Sequence, residues 1–477
     1  MAGSSPFTGK DVEIAMNHQR QERELCRSGS RRAGARWWAV GLAGVAGLAL
    51  TATAVGAFGG PAAGAVGGAL AAADDQPGKS DRRTAEGHRT ERKAEADGEV
   101  QGKKREKSKG IPVPCDADKL IAAITLANAR GGATLDLASK CTYLLTAPVD
   151  DAGLPDITTP ITLNGGKHTV IERAAAVEQF RILTVDVGGD LTLNHLTITG
   201  GQTDSDGGGI LVNTGGALTT KHSTITRNIA ADNGGGIASE GTTLVKHSTV
   251  SRNTSGILGG GISSSGVLEV TDSGVRANVT AAGGGVATLG SALVQRSAIS
   301  DNSAQDVVGG IIVNGGSAVV EDSSVSGNTA TGSVGGILAN VGTQVYLSSV
   351  TLADNVSGEL AGALATETGS SVSVVDSFIE DNRASTIGGG IYNADELTLL
   401  NTKIVGNQAD LGGGIYNAAT GTATLYNTKV IKNLAVTDGG GIFNEAGGTV
   451  LLNPATGTVV IKNRPNNCSG IVPSCAG

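Results

Sequence analysis

Short alternating runs of apolar and polar residues, separated by glycine, recur along the chain from about residue 207 almost to its end. In each repeat an apolar residue closes a glycine-rich unit, at intervals of 24 to 27 residues. These apolar residues are Ile210, Ile237, Ile262, Val286, Ile311, Ile337, Leu364, Ile391, Ile415 and Ile442. Asparagines follow the same period at Asn228, Asn253, Asn278, Asn302, Asn328, Asn355, Asn382, Asn407 and Asn433. A period this steady indicates stacked, equivalent units.

One repeat predicts strands and turns. Between Gly234 and Thr254, the runs 243–245 and 249–251 alternate in hydrophobicity, and no window has helical spacing. A repeat of this length is too short for two strands and a crossover helix, but long enough for three short strands joined by tight turns. The sequence therefore predicts an all-β fold, a right-handed parallel β-helix of about twelve rungs.

Stacking brings equivalent residues into register. Rungs spaced by ~4.8 Å place the isoleucines and valines in interior ladders and each repeat asparagine above the next. We expect these asparagines to be structural, with amides that hydrogen-bond between rungs. The glycines allow left-handed backbone or close approach of turns. No Lys-Ser/Thr pair follows them, so a phosphate-binding loop is excluded.

The ends of such a stack expose unpaired edges and need covering. The stretch Asp116 to Arg130 has apolar residues at helical spacing, including Leu120 and Ile124, and Gly131-Gly132 follows it. We expect this helix to cap the first rung.

Composition divides the chain into segments. Residues 1–36 form a basic, cytoplasmic N-region, and 37–73 are uncharged and read as an export signal or a membrane anchor. Residues 74–110 form a charged tether, 111–206 the N-terminal cap and first rungs, 207–463 the regular repeats, and 464–477 a disulfide-closed end. We expect an extracellular or cell-surface protein, and whether the signal is cleaved or retained stays open.

Charge and cysteines follow the same division. Residues 1–110 carry a net charge of +5 and the remainder −13. The acidic body argues against nucleic-acid binding, which normally needs a basic stripe. Outside the repeats, Cys115 with Cys141 and Cys468 with Cys475 form one close pair near each end. An exported protein with this arrangement predicts two structural disulfides, with a metal site as the less favoured interpretation.

The repeats resemble a known family. Gly389-Gly390-Ile391 and the run 379–382, Ile-Glu-Asp-Asn, are similar to repeats of polymorphic outer membrane protein-like β-helices. The segment Cys115 to Thr146 also resembles the leading cap of secreted actinobacterial β-helix proteins. Together the resemblance covers roughly residues 111–477 and implies a parallel β-helix of the wider pectate-lyase-like fold. It does not select a function, because adhesins, lyases and hydrolases all use this fold.

Three groups of side chains are candidates for binding. Asp204, Asp206 and Asp232 precede glycine units and would form a calcium edge if they converge, although turn residues are the plainer interpretation. The repeats also align three histidines in one column, with lysines and arginines beside them, as a basic patch for an acidic glycan or a transition metal. The members of this patch are His195, His222, His247, Lys221, Lys246, Arg227 and Arg252.

The third group is aromatic. Tyr392, Tyr416 and Phe443 each follow the isoleucine of a glycine unit, where alternation should turn them outward for sugar stacking or a protein partner. Packing between rungs is the competing interpretation.

We therefore predict a monomeric surface or matrix interaction protein, adhesin-like, that binds an extracellular glycan or a surface protein. The alternative is a polysaccharide lyase or hydrolase acting on an acidic polysaccharide. No catalytic constellation is legible, and no cofactor other than calcium is implied. The even repeat spacing favours binding, because an active site should interrupt the repeat with long loops.

Overall fold

The computed structural model describes residues 110–475. The predicted N-region, export segment and tether up to residue 109 lie outside the described residues. Within residues 110–475 the chain forms a parallel β-helix of four sheets with 14, 13, 10 and 12 strands. The predicted fold class is confirmed, but twelve rungs was too few, since sheet 1 has fourteen strands. The additional turns lie before residue 207, where rungs stack without the glycine repeat.

The sheets are numbered in the order in which one turn visits them. The strands of sheet 1 are Ile111–Val113, Ala133–Leu137, Pro160–Asn164, Asp190–Asn194, Ala217–Lys221, Thr242–Lys246, Val267–Thr271, Ser291–Gln295, Ser317–Glu321, Gln344–Ser348, Ser371–Val375, Glu396–Leu400, Thr422–Tyr426 and Thr449–Asn453. Those of sheet 2 are Thr142–Leu145, Val170–Arg173, Thr197–Thr199, Thr224–Thr226, Thr249–Ser251, Gly274–Arg276, Ala298–Ser300, Ser324–Ser326, Thr351–Ala353, Phe378–Glu380, Lys403–Val405, Lys429–Ile431 and Val459–Ile461. Sheet 3 contains Gln202–Thr203, Ile229–Ala230, Thr254–Ser255, Val279–Thr280, Ser303–Ala304, Thr329–Ala330, Val356–Ser357, Arg383–Ala384, Gln408–Leu411 and Leu434–Asp438. Sheet 4 contains Leu183–Val185, Ile210–Val212, Ile237–Ser239, Ile262–Ser264, Val286–Thr288, Ile311–Val313, Ile337–Ala339, Leu364–Thr366, Ile391–Asn393, Ile415–Asn417, Ile442–Asn444 and Cys468–Ser469.

A regular rung thus has four strands, where the sequence predicted three. The additional strand, in sheet 3, is usually only two residues long, too short for alternation to be visible in the sequence. Each strand pairs in parallel with its equivalent one rung away, so that Val245 lies opposite Val270 and Ile237 opposite Ile262. The isoleucines, valine and leucine that close the glycine units are at most 2% exposed, which confirms the interior ladder.

The glycine units are needed where adjacent turns approach each other. A Cβ at Gly235 would lie 2.4 Å from the carbonyl oxygen of Thr254 on the next rung. Gly234 has a φ of +65°, in the left-handed region that disfavours other residues. A larger residue at either position would push neighbouring rungs apart.

The repeat asparagines form the expected ladder. Asn253 donates its side-chain amide to the side-chain oxygen of Asn278, at 3.1 Å, and to the carbonyl oxygen of Ile225, at 3.0 Å. Its own side-chain oxygen accepts from both the main-chain and side-chain nitrogens of Asn228. The left-handed residue is the one before each asparagine, such as Arg252 with φ of 55°. The asparagine itself satisfies buried polar groups that the corner would otherwise leave unpaired.

Both ends are covered as predicted. Helix α1, Ala117–Ala129, begins at Asp116, whose side chain accepts from the main chain of Lys119, and buries Leu120 and Ile124 against the first rung. Disulfides join Cys115 to Cys141 and Cys468 to Cys475. No helix within residues 110–475 is long and apolar enough to span a membrane.

Candidate functional site

Four histidines lie on the corner where the chain passes from sheet 1 to sheet 2. The corner residue of each rung adopts the left-handed conformation, with φ of 59°, 54°, 50° and 46° at His168, His195, His222 and His247. In the repeats a serine follows and turns inward: Ser223 donates to the carbonyl oxygen of Leu193, at 3.2 Å. The corner histidines therefore point outward on successive rungs.

The imidazole rings stack along the solenoid. His195 and His222 have ring centroids 4.9 Å apart, and those of His222 and His247 are 5.0 Å apart, with planes inclined by 29° and 7°. The ring spacing repeats the spacing of the rungs. Stacked rings leave their outer edges, which carry nitrogen, available to a ligand lying across the corner.

Lysines stand beside these rings. Lys221 and Lys246 end neighbouring strands of sheet 1 and pair in register, each directly before a corner histidine. Lys167 precedes His168 in the same way. We call the set Lys167, His168, His195, Lys221, His222, Lys246 and His247 the histidine corner. Its first rungs line an open groove of about 540 Å³.

Further along the corner, charged residues of both signs replace the histidines, with Asp272, Arg296 and Asp322 on successive rungs. Asp272 follows His247 in the column and receives two hydrogen bonds from Arg296, at 2.8 and 3.1 Å. These bonds hold the pKa of Asp272 below its usual range. Lys246 pairs with Glu269 over 2.9 Å, and its hydrogen bond lowers the pKa of Glu269. A second open groove, of about 650 Å³, continues past Asp272 and Arg296 to Asp322.

The stacked histidines are poorly arranged for a transition metal. Two imidazole nitrogens bound to one zinc ion lie at most about 4 Å apart, since each bond is ~2.0–2.1 Å. Rings that stack nearly parallel at about 5 Å cannot meet this requirement without moving. The aspartates proposed for calcium do not form a cluster: within residues 110–475 no three His, Cys, Asp or Glu side chains are arranged to hold a metal. Asp206 instead accepts two hydrogen bonds from Asn233, both of 2.8 Å.

The aromatic column forms a stack on the outer face of sheet 4, but this face is largely covered instead of being exposed as expected. Ring centroids are 5.9 Å apart between Tyr392 and Tyr416 and 5.1 Å apart between Tyr416 and Phe443. Tyr392 is only 9% exposed, and the other two are half-buried. The glycine turn that precedes each sheet 4 strand covers its outer face, since a Cβ at Gly439 would lie 2.7 Å from Cβ of Phe443. The ring faces contact one another, which disfavours stacking of a sugar on them.

Two glutamates flank this aromatic stack. Burial raises the pKa of Glu367 to about 7. Tyr416 donates to Glu445 over 3.3 Å, while burial, with the nearby Glu445, raises the pKa of Tyr416 to about 12. Burial and the charge of Glu367 also raise the pKa of Tyr392. Water is therefore partly excluded from these side chains, which accords with a role in packing.

Three of the four corner histidines were predicted from the sequence, whereas Lys167 and His168 were not. In that rung the corner is longer, because Gly165 and Gly166 separate the sheet 1 strand from Lys167. Aligning backwards from the sheet 2 strand would have placed His168 in the column, two residues before Val170, as His195 lies two before Thr197. Arg227 and Arg252 lie on the opposite edge of the sheet 2 strands, at the asparagine corner.

No protein-family model matches the chain. No curated protein matches it either. Among solved structures, the A-module of the mannuronan C-5 epimerase AlgE6 of Azotobacter vinelandii aligns over 75% of this chain and 96% of its own, with 16% identical residues and a TM-score of 0.32. A similarity this low carries no argument about function. A functional proposal therefore depends on the histidine corner.

Proposed function

We propose that this chain is an exported β-helix protein that binds a linear anionic polysaccharide along its histidine corner. One observation carries the proposal: cations and imidazoles follow one another over neighbouring rungs of a domain that is otherwise acidic. A groove with such a local excess of positive charge attracts a ligand that carries repeated negative charges. The part of the ligand that lies within the groove experiences little repulsion.

The chemistry of the corner fits carboxylate or sulfate groups. Lys221 is exposed and supplies a mobile ammonium group, and the edges of His195 and His222 add nitrogen donors at fixed spacing. Hydroxyl side chains on the adjoining strands, such as Thr224 in the groove, suit the hydroxyls of a sugar. A surface or matrix role, adhesin-like and monomeric, accords with the predicted export segment and with the resemblance to polymorphic outer membrane protein-like repeats.

The test is direct binding by the full chain. Polygalacturonate and dextran sulfate are the anionic probes, and uncharged dextran is the neutral control. Changing Lys221→Gln together with Lys246→Gln should weaken binding of both anionic polymers about tenfold, because two of the corner's cations are lost. Dextran should not bind to either protein.

A matched variant separates the corner from overall charge. Lys429→Gln with Lys432→Gln removes two positive charges from one distant rung and should leave affinity within about twofold. Equal losses in both variants, or binding of neutral dextran, would reject the proposal. Release of shortened chains from polygalacturonate would favour the lyase or hydrolase alternative instead.

A further inference from the structure

The charge pattern along the corner sets a limit to the anion site. Resting on the function proposed above, we infer that the site accommodates an anionic block of four sugar units and that Glu269 and Asp272 mark its end. The four units correspond to the four rungs whose corners carry His168, His195, His222 and His247.

The spacing gives the ratio of sugars to rungs. The rungs repeat every ~4.8 Å, and an extended linear glycan advances by a comparable length for each pyranose ring. The histidine rings repeat at 4.9 and 5.0 Å, so successive anionic sugars meet equivalent side chains. A polymer with one charge per sugar therefore lies in register with the corner.

The near side of the boundary is favourable to anions throughout. Among the described residues lining the first groove, charge comes from Lys167, with His168, His195 and His222 beside it and no acidic side chain among them. Lys221, which directly precedes His222, forms no ion pair with an acidic side chain among the described residues. No acidic side chain lining this groove would therefore repel a carboxylate of the ligand.

The far side is unfavourable. Glu269 holds Lys246 in an ion pair, so the last lysine is partly neutralised. Asp272 takes the column position that follows His247 and binds Arg296 through both of its oxygens. Asp322 stands one rung beyond Arg296, close enough to act on its charge. A fifth anionic sugar would thus meet Asp272 and find the nearest guanidinium already occupied.

Removing the two boundary acids should lengthen the site. Glu269→Gln frees Lys246, and Asp272→Asn frees Arg296, while asparagine tolerates the left-handed backbone that Asp272 adopts, with φ of 50°. The rung after that of His247 would then have lost both of its boundary acids, and the rung after that one would present the free guanidinium of Arg296. The same chain should recognise a block of about six anionic sugars, by the spacing of one sugar per rung.

The experiment measures affinity by calorimetry for galacturonate oligomers of two to eight sugars, with the full chain. For the unmodified protein, affinity should rise with length up to four sugars and change less than about twofold beyond. In the Glu269→Gln, Asp272→Asn variant, affinity should keep rising to six sugars, and the hexamer should bind at least fivefold more tightly than to the unmodified protein.

The control variant is Asp354→Asn with Glu380→Gln, which also removes one acid at a left-handed corner and one on a strand. It should leave the length dependence unchanged, and thermal unfolding should show that both variants fold. An affinity that rises steadily to eight sugars in the unmodified protein, or equal gains in the control, overturns the boundary although anionic binding stands. Absence of binding by every oligomer and by polygalacturonate instead rejects the proposed function itself.

Discussion

Asn328 donates its side-chain amide to the side-chain oxygen of Asn355 on the next rung, at 3.0 Å. The same amide reaches the carbonyl oxygen of Ile299, at 2.9 Å. The side-chain oxygen of Asn328 accepts from the main-chain and side-chain nitrogens of Asn302, at 3.1 and 2.9 Å. One fully buried amide therefore ties three rungs together.

Replacing Asn328 by alanine should lower the free energy of unfolding by about 3 kcal/mol or more. The change leaves several buried groups without partners, and each costs ~1–3 kcal/mol. The exposed Asn314 provides a control, since among the described residues it accepts only one hydrogen bond from another side chain, that of Asn340; Asn314→Ala should cost ~1 kcal/mol. Urea unfolding measures both, and equal midpoints for the two variants would show that the ladder does not stabilise the stack.

The aromatic stack should matter for stability more than for binding. Tyr392→Ala removes a buried ring and should cost roughly 3 kcal/mol, as large-to-small changes in packed sites do. Tyr416→Phe removes only the bond to Glu445 and should cost less than ~1 kcal/mol. Neither change should alter affinity for polygalacturonate. Loss of affinity in a well-folded Tyr416→Phe protein would instead identify the aromatic column as a binding surface.

Stability should fall as pH rises from about 4.5 to about 7, because of Glu367. Below its unfolded value of about 4.5 this carboxyl is protonated in both states. Between that pH and about 7, the folded protein keeps a proton that the unfolded chain releases, so folding weakens with increasing pH. The loss reaches a plateau above about pH 7 and amounts to about 3 kcal/mol at most.

Comparing unfolding midpoints at pH 5 and pH 8 measures this effect. In the Glu367→Gln protein, the part of the stability loss that Glu367 causes should be absent. Glu396→Gln changes an exposed glutamate and should leave the loss of stability between these pH values unchanged. A Glu367→Gln protein with the full pH dependence of the unmodified chain would show that another group is responsible.

The disulfides should protect the ends of the stack and leave its middle unaffected. Cys115–Cys141 closes a separation of 26 residues and Cys468–Cys475 one of 7, so the first should contribute more, about 3.5 against about 2.5 kcal/mol. On reduction, hydrogen exchange should accelerate in the terminal strands Thr142–Leu145 and Thr449–Asn453. Exchange in the central strand Ser317–Glu321 should change little. Uniform acceleration along the chain would mean that the rungs unfold as one unit.

The sequence was sufficient for the architecture because the rungs repeat. Identical chemistry at Ile237 and Ile262, or at Asn228 and Asn253, requires stacking in register, and no other arrangement buries them all. Four strands per rung could not be foreseen, since a two-residue strand such as Ile229–Ala230 has no alternation to detect. The first rungs were predicted within residues 111–206, but their number was underestimated because stacking there uses varied residues.

The candidate site was only partly predictable. Alternation along a strand placed Tyr392 outward, but it cannot reveal that a glycine turn folds over that face. A second buried ladder, Asn393, Asn417 and Asn444, was not predicted, although each asparagine closes a short strand after an isoleucine and an aromatic residue. The histidine column was visible from the repeat. Its boundary at Glu269 and Asp272 required the side-chain geometry of the lysine and arginine partners.

The asparagine ladder also gives the molecule a direction and a unit of growth. Every hydrogen bond between two side chains of the ladder runs from an amide nitrogen to the side-chain oxygen on the C-terminal side, from Asn228 to Asn463, and Asn467 in the closing segment accepts the last one. Each rung offers the same donor to one neighbour and the same acceptor to the other, so duplication of one repeat creates no new kind of interface. The length of such a protein can change by whole rungs of ~4.8 Å while both ends remain as they are.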